Sequence, residues 1–318
     1  MSVAPTHTSL VYDGDRAYAT EAGGFLREGL EQGQRALVMA PQSRMELVAT
    51  ELGPDADAVD FVDEAVAYEP QWNAYRVLLD HLAATPGVRT RVVAEQALAR
   101  RAPAELVDYR RLESAANLVF AGRPVDLLCP YDARTLPAGL LDIALRAHDG
   151  LRVEGAVLPN AGFRDPMEEL ADLASVVHPP VDATTLDCSY QSDVSLVRRT
   201  VRAKGSRDGL ATGVVDDLEL AVSEVLTNAL LHGSPPALVH LYEEADMWVC
   251  HVQDGGGLPV DPLAGVVPPD DPSDHGYGLW LARQLVAAVD VGSDLTGTHV
   301  RLHVRAPGRA GLGDLQPA

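Results

Sequence analysis

Glu224, Asn228 and His232 stand four residues apart in the stretch from Glu219 to Gly233, ELAVSEVLTNALLHG. On a helix that spacing stacks a carboxylate, an amide and an imidazole along one edge, each one turn above the last. A carboxylate can take a proton from a hydroxyl or a water, and an amide oxygen suits a hard cation such as Mg2+. Leu218, Val222, Val225, Leu226, Ala229 and Leu230 form a broad apolar side of the same helix, fit to pack on a sheet. Alone, the polar edge reads equally well as the solvated stripe of an amphipathic helix. His232 reads equally well as a helix-end residue near the C-terminal dipole.

Three stretches downstream bear on that choice. Asp254-Gly255-Gly256-Gly257 ends an apolar run, Gly276-Tyr277-Gly278-Leu279 opens a helical one, and Gly297-Thr298 starts the last strand-like run. An Asp at a strand end can accept from an exocyclic amine such as that of adenine, and a glycine two residues on lets a purine approach the backbone. Glycines at a helix start leave N–H groups free for phosphate, and the helix dipole adds to that. A Thr hydroxyl can donate to a ring nitrogen directly or through water.

These residues need positioning elements, and the pattern supplies them. TTLDCSY reads as an edge strand, and Asp193 as the cap of a helix over 194–204. Asp216 and Asp217 mark the start of the long helix, where acidic residues favour the dipole. ALVHLYEE and MWVCHVQD form a hairpin around Ala245-Asp246, and VDVGSDL with THVRLHVR forms another around Thr296 and Gly297. A Pro-rich loop lies between Asp254 and Gly276.

Residues 8–158 have a different rhythm. Strands at TSLVYD, RALVMA, AVDFVD, RTRVVAE and VDLLCPYD alternate with helices over 17–32, 43–52, 71–84, 104–120 and 136–148, and LRVEGAVL adds an edge. Ser43 reads as the cap of the second helix. That alternation predicts a doubly wound parallel sheet covered on both faces. Ligands of such sheets sit beyond the C-terminal strand ends, here Tyr12 and Asp13, Met39 to Gln42, Asp63 and Glu64, Glu95 and Gln96, and Cys129 to Asp132. Helix capping and loop hydrogen bonding account for the polar residues there as well as a ligand site would. The first strand is followed by GDRAYAT, with neither a glycine-rich phosphate loop nor a lysine, which excludes an ordinary P-loop ATPase in this half. Pro159, Pro166, Pro179 and Pro180 bracket an acidic segment that reads as a linker able to let two domains move. The expected division is 1–160, a linker at 161–183, a second domain at 184–310 and a tail at 311–318.

Composition sets outer bounds. The 318 residues suffice for two domains, and 47% apolar with 5% aromatic residues means aliphatic cores. A formal charge of -21 argues against a general nucleic-acid binder. No stretch reaches membrane-span length and the N-terminus does not read as a signal peptide, so the cytoplasm is the default location. Cys129, Cys188 and Cys250 follow no metal spacing and read as reduced, structural cysteines.

In their order and spacing, the four boxes of the second half resemble the GHKL (Bergerat) ATPases, specifically the anti-sigma serine kinases of bacterial partner switching. AVSEVLTNALLHG and GYGLWLARQLV carry the resemblance, over about residues 184–307. It implies an α+β sandwich that binds ATP and Mg2+. Asn228 would hold Mg2+, Glu224 would be the general base and Asp254 would read adenine with Gly256 beside it. Gly276, Tyr277, Gly278 and Leu279 would cradle the phosphates under a lid at 258–275, and Thr298 would support the adenine contact. The implied partners are a sigma factor and a STAS-type anti-sigma antagonist, with no direct nucleic acid, no membrane, and a homodimer. Two departures stand out. Leu258 replaces the last glycine of the first box, and no Arg or Lys occurs between Asp254 and Arg283. A transferring phosphoryl group would then depend on Mg2+, backbone amides or a partner's cation.

The first half resembles the MEDS sensory domain, a RecA-like fold that has lost its phosphate loop. His7, FLREGLEQGQRALVMA, the strand end at Glu95 and LCPYD at 128–132 carry that resemblance, while His148-Asp149 stands where the family has His-Pro. Joined in one chain, the halves resemble RsbA-type anti-sigma regulatory proteins of actinobacteria. Two other readings remain open. A sensor histidine kinase needs a phospho-acceptor His on a dimerising helical hairpin, whereas 194–204 contains no His and His178 precedes two prolines. A binding module in which ATP only gates partner affinity needs no transfer at all.

Overall fold

The computed structural model describes residues 6–256, 260–268 and 277–307. Its contacts divide the chain into two compact units. One comprises the chain up to Glu69 with Asn73–Arg100 and Arg110–Glu169, and the other Pro70–Trp72, Arg101–Tyr109 and the chain from Leu170 onward.

In chain order the first elements are β1 (Thr6–Tyr12), α1 (Asp15–Leu30), β2 (Arg35–Ala40), α2 (Gln42–Leu52), β3 (Val59–Asp63), α3 (Glu64–Ala67), α4 (Asn73–Ala84), β4 (Thr90–Ala94), α5 (Pro103–Val119), β5 (Val125–Asp132), α6 (Ala138–Ala147), β6 (Gly150–Val153), β7 (Ala156–Pro159) and α7 (Pro166–Leu173). The strands form one sheet in the order β3-β2-β4-β5-β1-β6-β7. All neighbours are parallel except β6 and β7, which form a terminal hairpin. β5 is buried at every position, as a central strand covered on both faces must be. Tyr18, Phe25 and Leu26 of α1 pack with Leu10, Val38, Val93 and Leu128 of the sheet. Ser43 does not cap α2: Pro41 holds the N-cap position without a side-chain hydrogen bond, and the helix starts one residue before Ser43. The region expected to form one helix from Gln71 holds α4, preceded by the short α3, whose cap is Asp63 accepting from the N–H of Ala65.

At the C-terminal strand ends an ion-pair network fills the expected ligand position. Tyr12 donates to Glu95 Oε1 at 2.7 Å. The Arg44 guanidinium lies 3.5 Å from the same oxygen and donates to Asp132 Oδ2 at 2.9 Å. Arg134 holds the other side of Asp132 through both its backbone N–H and its guanidinium. Burial pushes the Glu95 carboxyl up to about 7, against the Tyr12 hydrogen bond and the Arg44 charge.

The second unit continues with β8 (Thr184–Cys188), α8 (Val194–Arg207), α9 (Thr212–His232), β9 (Ala237–Glu244), β10 (Met247–Asp254), α10 (Tyr277–Leu285), β11 (Ala288–Asp294) and β12 (Gly297–Arg305). Its antiparallel sheet runs β11-β12-β10-β9-β8, with β8 on the edge as expected. Val197 and Val201 of α8, Leu218, Val222, Val225 and Leu226 of α9, and Ala282 of α10 meet Val239, Leu241, Trp248, Cys250, Val252 and Leu302 of the sheet in one core. The apolar side read from the sequence of α9 is the side that is buried.

Two helix starts differ from expectation. α9 begins at Thr212, which places Asp216 and Asp217 in its second turn, and Asp216 pairs with Arg202 of α8. Asp193 makes no forward cap; its carboxylate accepts from the N–H groups of Ser189 and Tyr190. The far face of the sheet is polar yet buried: His240, His251, His299, Arg301 and His303 are all enclosed. Part of the proline-bracketed segment reaches this sheet, since a Cβ on Gly292 would lie 2.7 Å from the carbonyl oxygen of Ala174. No described helix is long and apolar enough to cross a membrane.

Two outcomes follow from this packing. Leu226 is fully buried beneath α9, so Leu226→Ala is expected to cost about 2–5 kcal/mol, read as a lowered urea midpoint; an unchanged midpoint would show that α9 is not seated on the sheet. The second concerns Glu95, whose folded pKa of about 7 lies above its unfolded value. The folded state therefore holds the proton that the unfolded state releases, and stability falls as pH rises from about 4.5 to about 7, by on the order of 3 kcal/mol. Glu95→Gln should flatten that decline in urea melts between pH 4.5 and 8; parallel wild-type and variant curves would refute it.

Candidate nucleotide site

Four sequence-distant stretches of the second unit meet at one end of its sheet. Asp254 is the last residue of β10 and only 8% exposed. A buried carboxylate needs donors, and the N–H of Gly256 supplies one to Oδ1 at 2.6 Å. Gly233, directly after α9, faces the same carboxylate: a Cβ there would lie 2.5 Å from Asp254 Cγ and 2.6 Å from Oδ2. The sequence shows Gly233 only as a helix stop, but the structure requires it as the seat of Asp254. Thr298 lies opposite Asp254 in the β10–β12 register. The preceding Gly297, at φ +135°, approaches so closely that a Cβ would fall 1.6 Å from the Asp254 carbonyl oxygen.

The polar edge of α9 lies beside the start of α10. A Cβ on Gly278 would meet Glu224 Oε2 at 3.0 Å and Asn228 Nδ2 at 3.1 Å, so the absent side chain is what lets the two helices touch there. Tyr277 is partly exposed and packs on Trp280, with ring centroids 4.9 Å apart. Gly265, at φ +70°, rests on the backbone of Leu279 and Trp280, so this part of the expected lid lies on α10. Gly276, Gly257 and Leu258 lie outside the described residues.

Between these elements is a cavity of about 240 Å³. Asn228, Asp254, Gly256, Leu279 and Thr298 line it, with Val225, Val252, Val291 and Val300 as apolar walls. His232, which the sequence left undecided, also lines it. Glu224 is half-buried and sits at the Gly278 contact. The cavity suits a flat heteroaromatic ring, with apolar faces and a few convergent polar groups. Glu224 and Asn228 offer hard oxygen donors of the kind Mg2+ takes. The described residues thus fit both a purine and a divalent cation.

The first cation after Asp254 in the sequence is already committed. Arg283 is buried and donates to the Val289 carbonyl at 3.1 Å and, at 3.4 Å, to Asp108 Oδ1. Nothing in the spacing announces that role; Arg283 stands in the last turn of α10 and looks available until the fold buries it.

Comparison with known proteins finds one family match in each half of the chain. Residues 6–149 match the family described as MEDS, the MEthanogen/methylotroph, DcmR Sensory domain. Residues 189–304 match the histidine kinase-like ATPase domain. Over 130 residues the chain is 28% identical to the serine-protein kinase RsbW of Halalkalibacterium halodurans, covering 37% of this chain and 80% of that protein. Among solved structures, the RsbU and RsbW domains of Rv1364c from Mycobacterium tuberculosis align at 20% identity with a TM-score of 0.31, over 41% of this chain and 34% of that one. The blue-light activated histidine kinase EL346 of Erythrobacter litoralis aligns at 26% identity with a TM-score of 0.24, over 35% of this chain and 41% of that one. The chain thus spans about a third of the Mycobacterium tuberculosis chain and under half of the Erythrobacter one. The chain joins a MEDS domain to a GHKL-type, histidine kinase-like ATPase domain akin to that of RsbW serine kinases.

Proposed function

We propose that the chain is an ATP-binding anti-sigma regulator that sequesters a sigma factor and phosphorylates a serine of a STAS-type antagonist, under the influence of its MEDS domain. The observation that carries this reading is the convergence of Asn228, Asp254, Gly256 and Thr298 around one cavity, with Glu224 beside Asn228 at the Gly278 contact. Kinship with a serine-protein kinase supports the choice of serine as acceptor. In this reading Asp254 accepts from the adenine amino group, with Gly256 leaving room for the ring. Thr298 supports the same contact from β12. Asn228 holds Mg2+ through its amide oxygen, and Glu224 takes the proton of the attacking serine hydroxyl. Gly276, Tyr277, Gly278 and Leu279 bring backbone N–H groups to the phosphates. Bound MgATP supplies the transferable phosphoryl group.

A second reading has its own observation. Arg283 is spent on Val289 and Asp108, and no other Arg or Lys follows Asp254 before it. Without a cation on the transferring group, ATP would gate partner affinity with no transfer unless the partner brings the charge. Purified protein incubated with labelled ATP and its antagonist separates the readings. Label on an antagonist serine supports the kinase, acid-labile label on the chain itself supports a histidine kinase, and bound ATP with no label supports the gate.

Two substitutions test the residue roles. Asp254→Asn is expected to weaken ATP binding at least about tenfold, because the amide presents a donor where an acceptor is needed. Glu224→Ala is expected to abolish transfer while leaving ATP affinity within a few-fold of wild type. Transfer that survives in Glu224→Ala would remove Glu224 as the base, and unchanged ATP affinity in Asp254→Asn would remove Asp254 as the adenine reader.

A further inference from the structure

A second constellation lies in the first unit. His7 on β1, Glu113 on α5, Cys129 on β5 and His148 just after α6 are all buried, and one donor atom from each lies within 4.8 Å of the others. His7 Nε2 and His148 Nε2 each stand 3.3 Å from Glu113 Oε2. Cys129 Sγ stands 3.4 Å from His7 Nε2. The two imidazole centroids are 4.1 Å apart.

The partners of the other ring nitrogens decide what these four groups can do. His148 Nδ1 is 3.1 Å from the Ala144 carbonyl, which can only accept, so Nδ1 carries the proton. Asn117 donates its amide N–H to the Ala147 carbonyl at 2.8 Å, which turns Oδ1 toward His7 Nδ1 at 3.2 Å and gives that nitrogen the proton as well. Both neutral rings therefore aim an Nε2 lone pair at one carboxylate oxygen, and His148 Nε2, in a residue with 0% exposure, has no hydrogen-bond partner. Lone pairs facing an anion in a dry interior repel. Doubly protonating the rings would put two like charges 4.1 Å apart, and burial together with His7 pushes His148 below its ordinary value. A dication among the four donors removes the conflict. Each ring is then oriented through its Nδ1–H, the usual outer-shell arrangement of metal-bound histidine.

We propose that His7, Glu113, Cys129 and His148 form a closed four-ligand site for a divalent transition-metal ion of the Zn2+ type. Bond lengths of about 2.0–2.3 Å in a tetrahedron separate ligand atoms by about 3.3–3.8 Å. The three contacts of 3.3, 3.3 and 3.4 Å fall in that range, and the widest pair, within 4.8 Å, has to contract by at most about 1 Å. Two imidazoles, a thiolate and a carboxylate are a set that Zn2+ accepts and Mg2+ does not. The Cys129 thiol, pushed up by burial and by Glu113, gives up its proton as the metal–sulfur bond forms. Beside the cluster lies a cavity of about 370 Å³ with His7 and Asn117 in its wall, which gives an ion a path in. With four protein ligands the metal has no open position. It serves as a clip joining β1, α5, β5 and the end of α6, not as a hydrolytic centre.

The test uses the full chain without an affinity tag, stripped with chelator and titrated with Co2+. One Co2+ per chain should bind, with the absorbance of a tetrahedral ion and a thiolate-to-cobalt charge-transfer band, and Zn2+ should displace it. Cys129→Ser should lose the charge-transfer band, and His148→Gln should weaken binding at least about tenfold. Persistence of the band in Cys129→Ser would assign it to Cys188 or Cys250 and overturn the site. The group His178, Asp294 and His299 contains no thiol, so binding there would give no band and would also count against the proposal. If either variant fails to fold, the wild-type titration decides: a stripped, folded chain that takes up no stoichiometric Co2+ overturns the proposal.

Discussion

The second unit depends on the burial of one carboxylate. Asp254 sits at a strand end, 8% exposed, where an ionised group is tolerated only if donors or a ligand meet it. Its surroundings are built from absent side chains. Gly233 clears its flank, Gly297 clears its carbonyl, and Gly256 folds back to donate an N–H. Three glycines from three elements are thus bound to one aspartate, and together they fix where α9 ends, where β12 begins and how the chain leaves β10. The Glu224–Asn228 edge inherits its position from that arrangement, because Gly278 brings α10 against it. The apolar core under α9 holds the helix to the sheet, and the contacts around Asp254 set how its polar edge meets the cavity.

This division explains what could be read from the chain. The boundaries of β2 and β5, the hairpin at Ala245-Asp246 and the buried side of α9 depend on local period and turn chemistry, and they appear where the pattern puts them. Local signals fail where a residue serves a distant partner. Ser43, Asp193 and Asp216 have the composition of caps, yet Ser43 lies inside its helix, Asp193 reaches backward and Asp216 pairs with another helix. Gly233 and Gly297 look like punctuation, and only the approach of Asp254 shows why no other residue fits. The boxes around the Asp254 cavity stood out as motifs because each is contiguous. The cluster of His7, Glu113, Cys129 and His148 did not, because a parallel sheet brings together strands far apart in sequence and leaves no spacing to recognise.

The far face of the second sheet is a further case. Alternation in β9, β10 and β12 points every second residue away from the helices, and their polarity (His240, His251, His299, Arg301) suggests water. The structure encloses them. Histidines tolerate this better than permanent charges, since a neutral imidazole can both donate and accept. His251 and His299 are 3.0 Å apart, and burial holds His251 well down, at about 3. Covering both faces of an antiparallel sheet with one apolar and one polar layer gives this unit a second buried surface that hydropathy alone does not show.

The chain neutralises its buried carboxylates in four ways, and the differences bear on which of them await something. Glu95, pushed up to about 7 by burial, takes a hydrogen bond from Tyr12 on Oε1 and keeps Oε2 buried without a partner. Asp132 is ionised but gripped by Arg44 and Arg134, which saturate it with fixed charge. Asp254 has a backbone N–H and a cavity, so its remaining capacity faces a space shaped for a ring. Glu113 faces two imidazoles whose protons are held on their outer nitrogens, and the Cys129 thiol is the one weak donor beside it in the cluster. Asp132 is structural because fixed charge within the chain meets both of its oxygens. In the readings proposed above, the last two are completed from outside the chain, by an uncharged donor at Asp254 and a cation at Glu113. On those readings two buried carboxylates of the same chemistry take different ligands because a backbone N–H meets one and imidazole lone pairs meet the other.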